Sequence, residues 1–372
     1  MISRYWKDMN IVKDNNEINK SIIISKDIPI SYNEDKNIIF DRNVDNENVK
    51  EEIITFIKNN NKTTSGNITL LTIEELEIYI RLGSKWLLMR SNTSKRSLIG
   101  VVMSLPLSIK VKDNNTYKII THGYTTFLNV HSSLRGHGLC MAMIRELIHD
   151  GYKEGLYCDY HLVPDKIGEN SILIDSWYRP LNLKSCVNLG FIYPGYDDSR
   201  SKIKNRLKYS TRLQPDVETV LIDQDTAVNT YYYYRQLVSD KEFAFYPELD
   251  FWMLWIQEFP TFLIKDIKNK KDIGIFSLGS VSVRVKKENE DKVAKLSLPV
   301  LAVSTNTNKL LSSIIHESSN LGYDALYIYE IGDFSSEELE RVHSLKTTTS
   351  LYFSMYNNKM NLNKEEIITP II

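Results

Sequence analysis

The sequence predicts an α+β fold in which a β-hairpin, a strand and a helix recur in that order in two parts of a 372-residue chain. Three observations carry this reading. Residues Tyr124–Val130 alternate, with Thr126, Leu128 and Val130 on one face and Thr125, Phe127 and Asn129 on the other, which is the period of a strand. Just downstream Leu139, Met143 and Leu147, flanked by Ile144 and Ile148, recur at helical spacing. After residue 210 a similar order of segments returns.

Taken in order, residues 10–70 are rich in Asn, Lys, Asp and Ile, and Asn59–Gly66 reads as a loop. Thr72-Ile-Glu-Glu75 supplies an N-cap and early acidic residues for a helix through about residue 82. A strand over 98–105 and a turn at Lys112–Thr116 form a hairpin with the Tyr124 strand. The second round reads as a helix through Tyr231–Leu237, strands near 260–266, 273–285 and 297–303, a helix over 307–320 and a strand over Ala325–Ile331. The run Tyr231–Tyr234 reads as aromatic packing on an element rather than as a ligand cage.

Bulk properties narrow the function. With 42% hydrophobic residues the chain can fill two to three domains' worth of core. A net charge of −1 exerts no general pull toward nucleic acid or an anionic membrane. Cys140, Cys158 and Cys186 are odd in number and lack Cys-x-x-Cys spacing, so neither a disulfide framework nor a zinc site is expected. The N-terminus is polar and no window approaches 18 apolar residues, so no membrane span is expected and a cytoplasmic protein is the reading. The Asn- and Lys-rich composition suits a viral or parasite gene, which for a virus means the host cytoplasm.

The junction between the Tyr124 strand and the next helix carries chemistry. In Arg135-Gly-His-Gly138 small residues let amide N–H groups converge at a helix N-terminus, an arrangement suited to phosphate. Neither a Walker loop nor Gly-x-Gly-x-x-Gly is spelled here. What is spelled is Arg-x-x-Gly-x-Cys, close to the Gln/Arg-x-x-Gly-x-Gly/Ala signature of the N-acetyltransferase superfold, whose members bind acyl-coenzyme A. Taken alone, six residues also describe a helix start with two glycines and no ligand.

A longer pattern adds to these six. Phe127-Leu128-x-Val130-His131-x-x-Leu134-Arg135 resembles the Asn-Phe-Leu-Cys-Val-His-Lys-Lys-Leu-Arg segment of glycylpeptide N-tetradecanoyltransferases, the N-myristoyltransferases. The resemblance runs through Arg145-Glu146 and Glu154-Gly155 to Trp177-Tyr-Arg-Pro-Leu-Asn182, similar to the family's Trp-His-Arg-Ser-Leu-Asn. Arg4-Tyr5-Trp6 is similar to Lys-Phe-Trp, Leu98–Pro106 to Leu-Val-Gly-Phe-Ile-Ser-Ala-Ile-Pro, and Met355-Tyr-Asn-Asn-Lys359 to Leu-Tyr-Asn-Trp-Lys.

The resemblance implies two tandem acyl-CoA N-acyltransferase-like halves sharing a continuous saddle-shaped mixed β-sheet flanked by helices. It implies residues 1–209 as the myristoyl-CoA half and 210–372 as the peptide half, with the C-terminus returning to the active site. The activity implied is transfer of a myristoyl group from myristoyl-CoA to an N-terminal glycine, by a protein that is mostly monomeric in the family and holds no permanent cofactor or metal. The amides of Phe127 and Leu128 would form the oxyanion hole, and the Ile372 carboxylate, at the end of the apolar Ile367-Ile-Thr-Pro-Ile371, would be the base. Cofactor contacts would come from Tyr5, Trp6, Phe127, Leu128, Val130, Arg135, Gly136, His137, Gly138, Leu139, Cys140 and Met141. Substrate contacts would come from Thr126, His161, Leu162, Trp177 and Tyr178. Here the sequence departs from the family: Thr126 replaces an Asn, His161 and Leu162 replace a Tyr-Thr pair, and His137 and Gly138 replace basic residues. Another acyl length or acceptor on the same architecture, or a non-catalytic acyl-CoA-binding protein, are the alternative readings.

Overall fold

The computed structural model describes residues 23, 26, 37–61, 68–113, 116–192, 199–287, 290–358 and 360–371. The chain forms two compact units, one of Met1–Leu173 with Leu351–Leu362, the other of Ile174–Ser350 with Asn363–Ile372. The expected boundary at 209/210 therefore falls inside the second unit.

In chain order the elements are β1 (Ile38–Asp41), α1 (Glu47–Asn60), β2 (Ile68–Leu70), α2 (Ile73–Arg81), β3 (Lys85–Ser91), β4 (Leu98–Asp113), β5 (Thr116–Val130), α3 (Leu139–Lys153), β6 (Cys158–Val163), β7 (Ile172–Pro180), α4 (Leu183–Asn188), α5 (Ser199–Lys208), β8 (Val217–Leu221), α6 (Ala227–Leu237), β9 (Phe243–Phe245), α7 (Leu249–Glu258), β10 (Thr261–Asp266), β11 (Lys271–Lys287), β12 (Glu290–Ser304), α8 (Thr307–Asn320), β13 (Ala325–Tyr329), α9 (Ser336–Arg341), β14 (Leu345–Tyr356) and β15 (Ile367–Ile368).

In the first unit the strands run β1-β3-β4-β5-β6-β14, antiparallel except for the parallel β5–β6 pair. That exception follows from α3, which carries the chain back so that β6 runs in the same direction as β5, with Cys158 opposite His122. The predicted cap of α2 is present: Thr72 accepts the Glu75 N–H at 3.1 Å while the Glu75 carboxylate accepts the Thr72 N–H at 2.9 Å. In this unit one helix escaped the sequence reading. α1 occupies residues placed in a polar, loop-like region, because Ile53, Phe56, Ile57 and Asn60 recur at helical spacing and are buried. Asn59 and Asn60 thus close a helix, while residues 62–67 of the expected loop lie outside the described residues.

The second unit orders its strands β14-β7-β13-β12-β11-β10-β8, again antiparallel in its long hairpin and parallel where α8 joins β12 to β13; β15 also pairs parallel with β9. Because β7 pairs with β13, the chain enters this unit at Ile174, well before 209. Its core gathers Phe276, Leu278, Leu310, Leu311, Ile314, Leu326 and Ile328. The tyrosine run sits on α6 as packing: Tyr231 and Tyr234 are buried, and the Tyr234 ring stacks on Trp252 with 5.0 Å between centroids.

Candidate active site

The first unit's site begins at a break in the β4–β5 ladder. Met103 pairs with Thr126 and Val101 with Asn129, so Phe127 and Leu128 together face the single residue Val102. Such a two-for-one bulge takes a residue out of the ladder and redirects its neighbours. Phe127 adopts φ 54°, the left-handed region, which costs a side chain about 1–2 kcal/mol. Aromatic packing holds it there. The Trp86 indole stacks on the Phe127 ring at 5.9 Å, Tyr79 meets it edge-on at 5.5 Å, and Ser84 fixes Trp86 by accepting its indole N–H at 2.9 Å. The bulge also breaks the strict alternation expected of this strand, and Leu128 is exposed.

Beside the bulge lies a cavity. Parallel pairing of β5 with β6 ends at Tyr124 and Tyr160. There a space of about 610 Å³ opens, lined by Thr125–Leu128, by Asp159 and His161–Val163 of β6, by Ile144, Leu147 and Ile148 of α3, and by Trp86. Its volume is that of a small-molecule site, and its walls are mainly apolar.

A polar cluster sits in the cavity wall. The Asp159 carboxylate accepts the Thr125 hydroxyl at 2.5 Å and the His161 Nδ1–H at 3.1 Å. An ionised carboxylate only accepts, so this bond fixes the imidazole tautomer and makes Nε2 the proton-accepting nitrogen. Burial pushes the Asp159 carboxyl above its ordinary range, and its bonds to His161 and Thr125 pull it back. Only glycine fits at 123, where a Cβ would stand 2.5 Å from Ser104 Oγ and 2.6 Å from Asp159 Oδ2. Thr125 and Asp159 were missed in the sequence. The signal was available in Asp159-x-His161, since residues two apart on a strand share a face.

The glycine loop is built as an open cradle. Gly136 and Gly138 adopt φ 84° and 80°, with nothing within 4 Å of where a Cβ would stand. Gly138 starts α3 without a side-chain cap, and the amides of Gly136–Leu139 meet no acceptor among the described residues. Those orphan donors at a helix start suit an anion. Asn60 braces the loop: its Oδ1 accepts the Ser132 N–H at 2.9 Å and its carbonyl accepts the Arg135 guanidinium. Arg135 also reaches the Val130 carbonyl at 3.5 Å, so at least part of this expected phosphate ligand works as a loop brace. His137 Nδ1 is turned back to the carbonyls of Leu134 and Arg135.

The other expected site residues divide. Thr126 and Leu162 line the cavity with His161. Val130 is buried in the first unit's core, Leu139 and Met141 pack on that unit's apolar clusters, and Cys140 is an exposed free thiol. Trp177, 3% exposed, is core of the second unit with its indole N–H donated to Glu330 at 3.2 Å, so burial withdraws it from the expected substrate contacts. Tyr178, in the same strand, donates its hydroxyl to the Phe191 carbonyl at 2.8 Å. Tyr5, Trp6 and Ile372 lie outside the described residues. The apolar tail before Ile372 is buried, with Ile367 and Ile368 pairing parallel to Phe243 and Ala244.

No protein-family profile matches the sequence, and no curated protein matches it. Solved structures do. The chain is similar to Saccharomyces cerevisiae N-myristoyltransferase with bound myristoyl-CoA at TM-score 0.82 and 12% identity, covering 99% of both chains. Further structures of that enzyme, with myristoyl-CoA alone or with inhibitors, match at TM-scores 0.78 and 0.79 with 14% and 13% identity, covering 95% of their length. A fungal GCN5-related glucosamine N-acetyltransferase region matches at 0.52 with 13% identity, over 86% of this chain and 38% of that one. The fold is thus α+β of the acyl-CoA N-acyltransferase kind. More specifically, it is the N-myristoyltransferase fold over the whole chain.

Proposed function

We propose that this protein is a divergent N-myristoyltransferase that transfers a tetradecanoyl group from myristoyl-CoA to the N-terminal glycine of peptides. The observation that carries the reading is the strained bulge at Phe127, set between an apolar cavity and an uncapped helix start. In this mechanism the coenzyme phosphates take the amides of Gly136–Leu139, and the acyl chain fills the cavity lined by Ile144, Leu147 and Ile148. The amides of Phe127 and Leu128 receive the thioester oxygen as it gains charge, a role worth about 10²–10³ in rate per donor.

An α-ammonium with a pKa of roughly 7.7–8.0 must lose a proton before it attacks. The Ile372 carboxylate takes that first proton, the role implied by the resemblance. A second leaves nitrogen as the C–N bond forms. His161 Nε2 accepts it, with Asp159 balancing the imidazolium, and returns it to the coenzyme A sulfur as the C–S bond breaks.

Mass spectrometry of acyl-CoA co-purified with the protein, then of Gly-starting peptides incubated with it, tests the reading. A C14 ligand and a myristoyl mass on glycine are the expected results, and no acyl transfer to any amine would overturn it. A C-terminal tag, or deletion of Ile371 and Ile372, is expected to abolish turnover and leave acyl-CoA binding. Full activity in either variant would remove Ile372 from the mechanism. The altered acceptor positions Thr126, His161 and Leu162 favour one alternative, another acceptor amine or acyl length, which the same peptide experiment detects.

A further inference from the structure

The second unit contains a cavity of about 570 Å³ whose charge calls for a ligand. Arg179, Lys208, Arg212, Lys309, Arg341 and His343 line it, with no Asp or Glu among the described lining residues. Two of these cations are spoken for: Lys309 is held between Asp216 at 2.6 Å and Asp266 at 2.8 Å, and Arg341 has Glu338 at 3.8 Å. The other three cations have no carboxylate partner among the described residues.

Arg179 is the decisive one. It is 3% exposed, and buried charges are ordinarily paired with an opposite charge because desolvation costs several kcal/mol per ion. Its partners are only carbonyls: Val342 at 2.6 Å, Ser210 at 2.9 Å and Pro180 at 3.3 Å. Those three bonds leave two of the five guanidinium N–H donors. The charge is costly where it stands: burial brings its pKa down to about 10. His343, at the same wall, is held below its ordinary value by burial, then by Lys208 and Arg179.

We propose that this cavity is an oxyanion site of the phosphate type, in which two ligand oxygens take the remaining N–H groups of Arg179 and Lys208 and Arg212 balance the charge. Forked donation from a guanidinium to two oxygens is the geometry phosphate recognition favours, and three positive charges match a dianion better than a carboxylate. The site is independent of the acyl-transfer reading, since every lining residue belongs to the second unit.

Binding of inorganic phosphate and of ADP to the full-length protein, with saturating myristoyl-CoA present to occupy the glycine loop, provides the test. Chloride at matched ionic strength is the control. Saturable stabilisation by phosphate beyond the chloride control is expected, weakened at least about tenfold in the exposed-residue variant K208Q/R212Q. The His343 imidazole, followed by NMR, is expected to titrate at higher pH when the anion is bound. Tighter binding of ADP than of phosphate would assign the site to a phosphate ester, and equal binding to the free ion. A phosphate response equal to chloride, or one unchanged in K208Q/R212Q, would overturn the proposal. Because this readout needs no turnover, failure of acyl transfer would leave it standing.

Discussion

The two units use the same connection, strand to helix to parallel strand, with opposite outcomes. In the first, β5 bulges at Phe127 and Leu128, its pairing with β6 stops at Tyr124, and α3 starts at bare Gly138. In the second, β12 also shifts register, but the extra residue Val300 is buried, with a methyl 2.6 Å from where a Cβ on Gly279 would stand. There α8 starts at Asn306, whose side chain accepts the Lys309 N–H at 3.1 Å, and Leu310, Leu311 and Ile314 fill the space over the sheet. The connection itself is therefore neutral toward function. In the first unit the uncapped helix start and the splayed strand leave an open apolar cavity between β5, β6 and α3; in the second the cap and the filled groove leave a core between α8 and the sheet.

The contrast can be broken most severely at Trp86. Trp86→Ala removes the ring that stacks on Phe127, and loss of a buried Trp should cost about 3–5 kcal/mol in denaturant unfolding, with turnover falling as the bulge relaxes. Retained stability and activity would mean the clamp is unnecessary. A smaller effect on stability, about 1–2 kcal/mol, is expected at the loop, with the main loss in ligand binding. Gly138→Val forces a β-branched residue into φ 80° and crowds the amides, and calorimetry should show acyl-CoA affinity reduced about a hundredfold.

Asp159→Asn should separate stability from activity. The raised pKa means that the folded protein holds this proton more tightly than the unfolded chain. The unfavourable contribution of Asp159 therefore appears as pH rises past the unfolded value of about 3.9, and is absent well below it. The variant's melting temperature relative to the parent should rise between pH 4 and pH 7, while its turnover falls. A variant equally destabilised at both pH values would argue that Asp159 is only structural. The least effect belongs to the second unit's cap: Asn306→Ala should cost about 1 kcal/mol in unfolding and leave acyl-CoA affinity unchanged.

The sequence was most legible where the chain speaks locally. The α2 cap, α3, β11 and α8 stand within a few residues of their sequence-read positions, while β4 and β12 lie where strands were expected but run well beyond them, β4 on to Asp113 and β12 from Glu290, and β13 stops at Tyr329. α1 was hidden because Asn- and Lys-rich composition masked four inward positions. In the site, the glycine loop and the bulge positions were readable through a motif and a resemblance. Thr125, Trp86, Tyr79 and Asn60 were not, since each matters only through a partner distant in sequence: Thr125 with Asp159, Trp86 with Phe127, Asn60 with Arg135; Asp159 alone of the missed residues had a local signal, in His161 two positions on.

The sequence by itself determined the order of the β4–β5–α3 and β11–β12–α8–β13 series, the glycines that tolerate left-handed backbone, and the absence of a side-chain cap at Gly138. These follow from periodicity and from one residue's own sterics. Tertiary structure decided which strand splays, which groove stays empty, and which charges end without a carboxylate partner among the described residues. The ladder shift at Val102, the ring packed on Phe127 and the burial of Arg179 are properties of contacts between segments dozens of residues apart, and no local pattern encodes them.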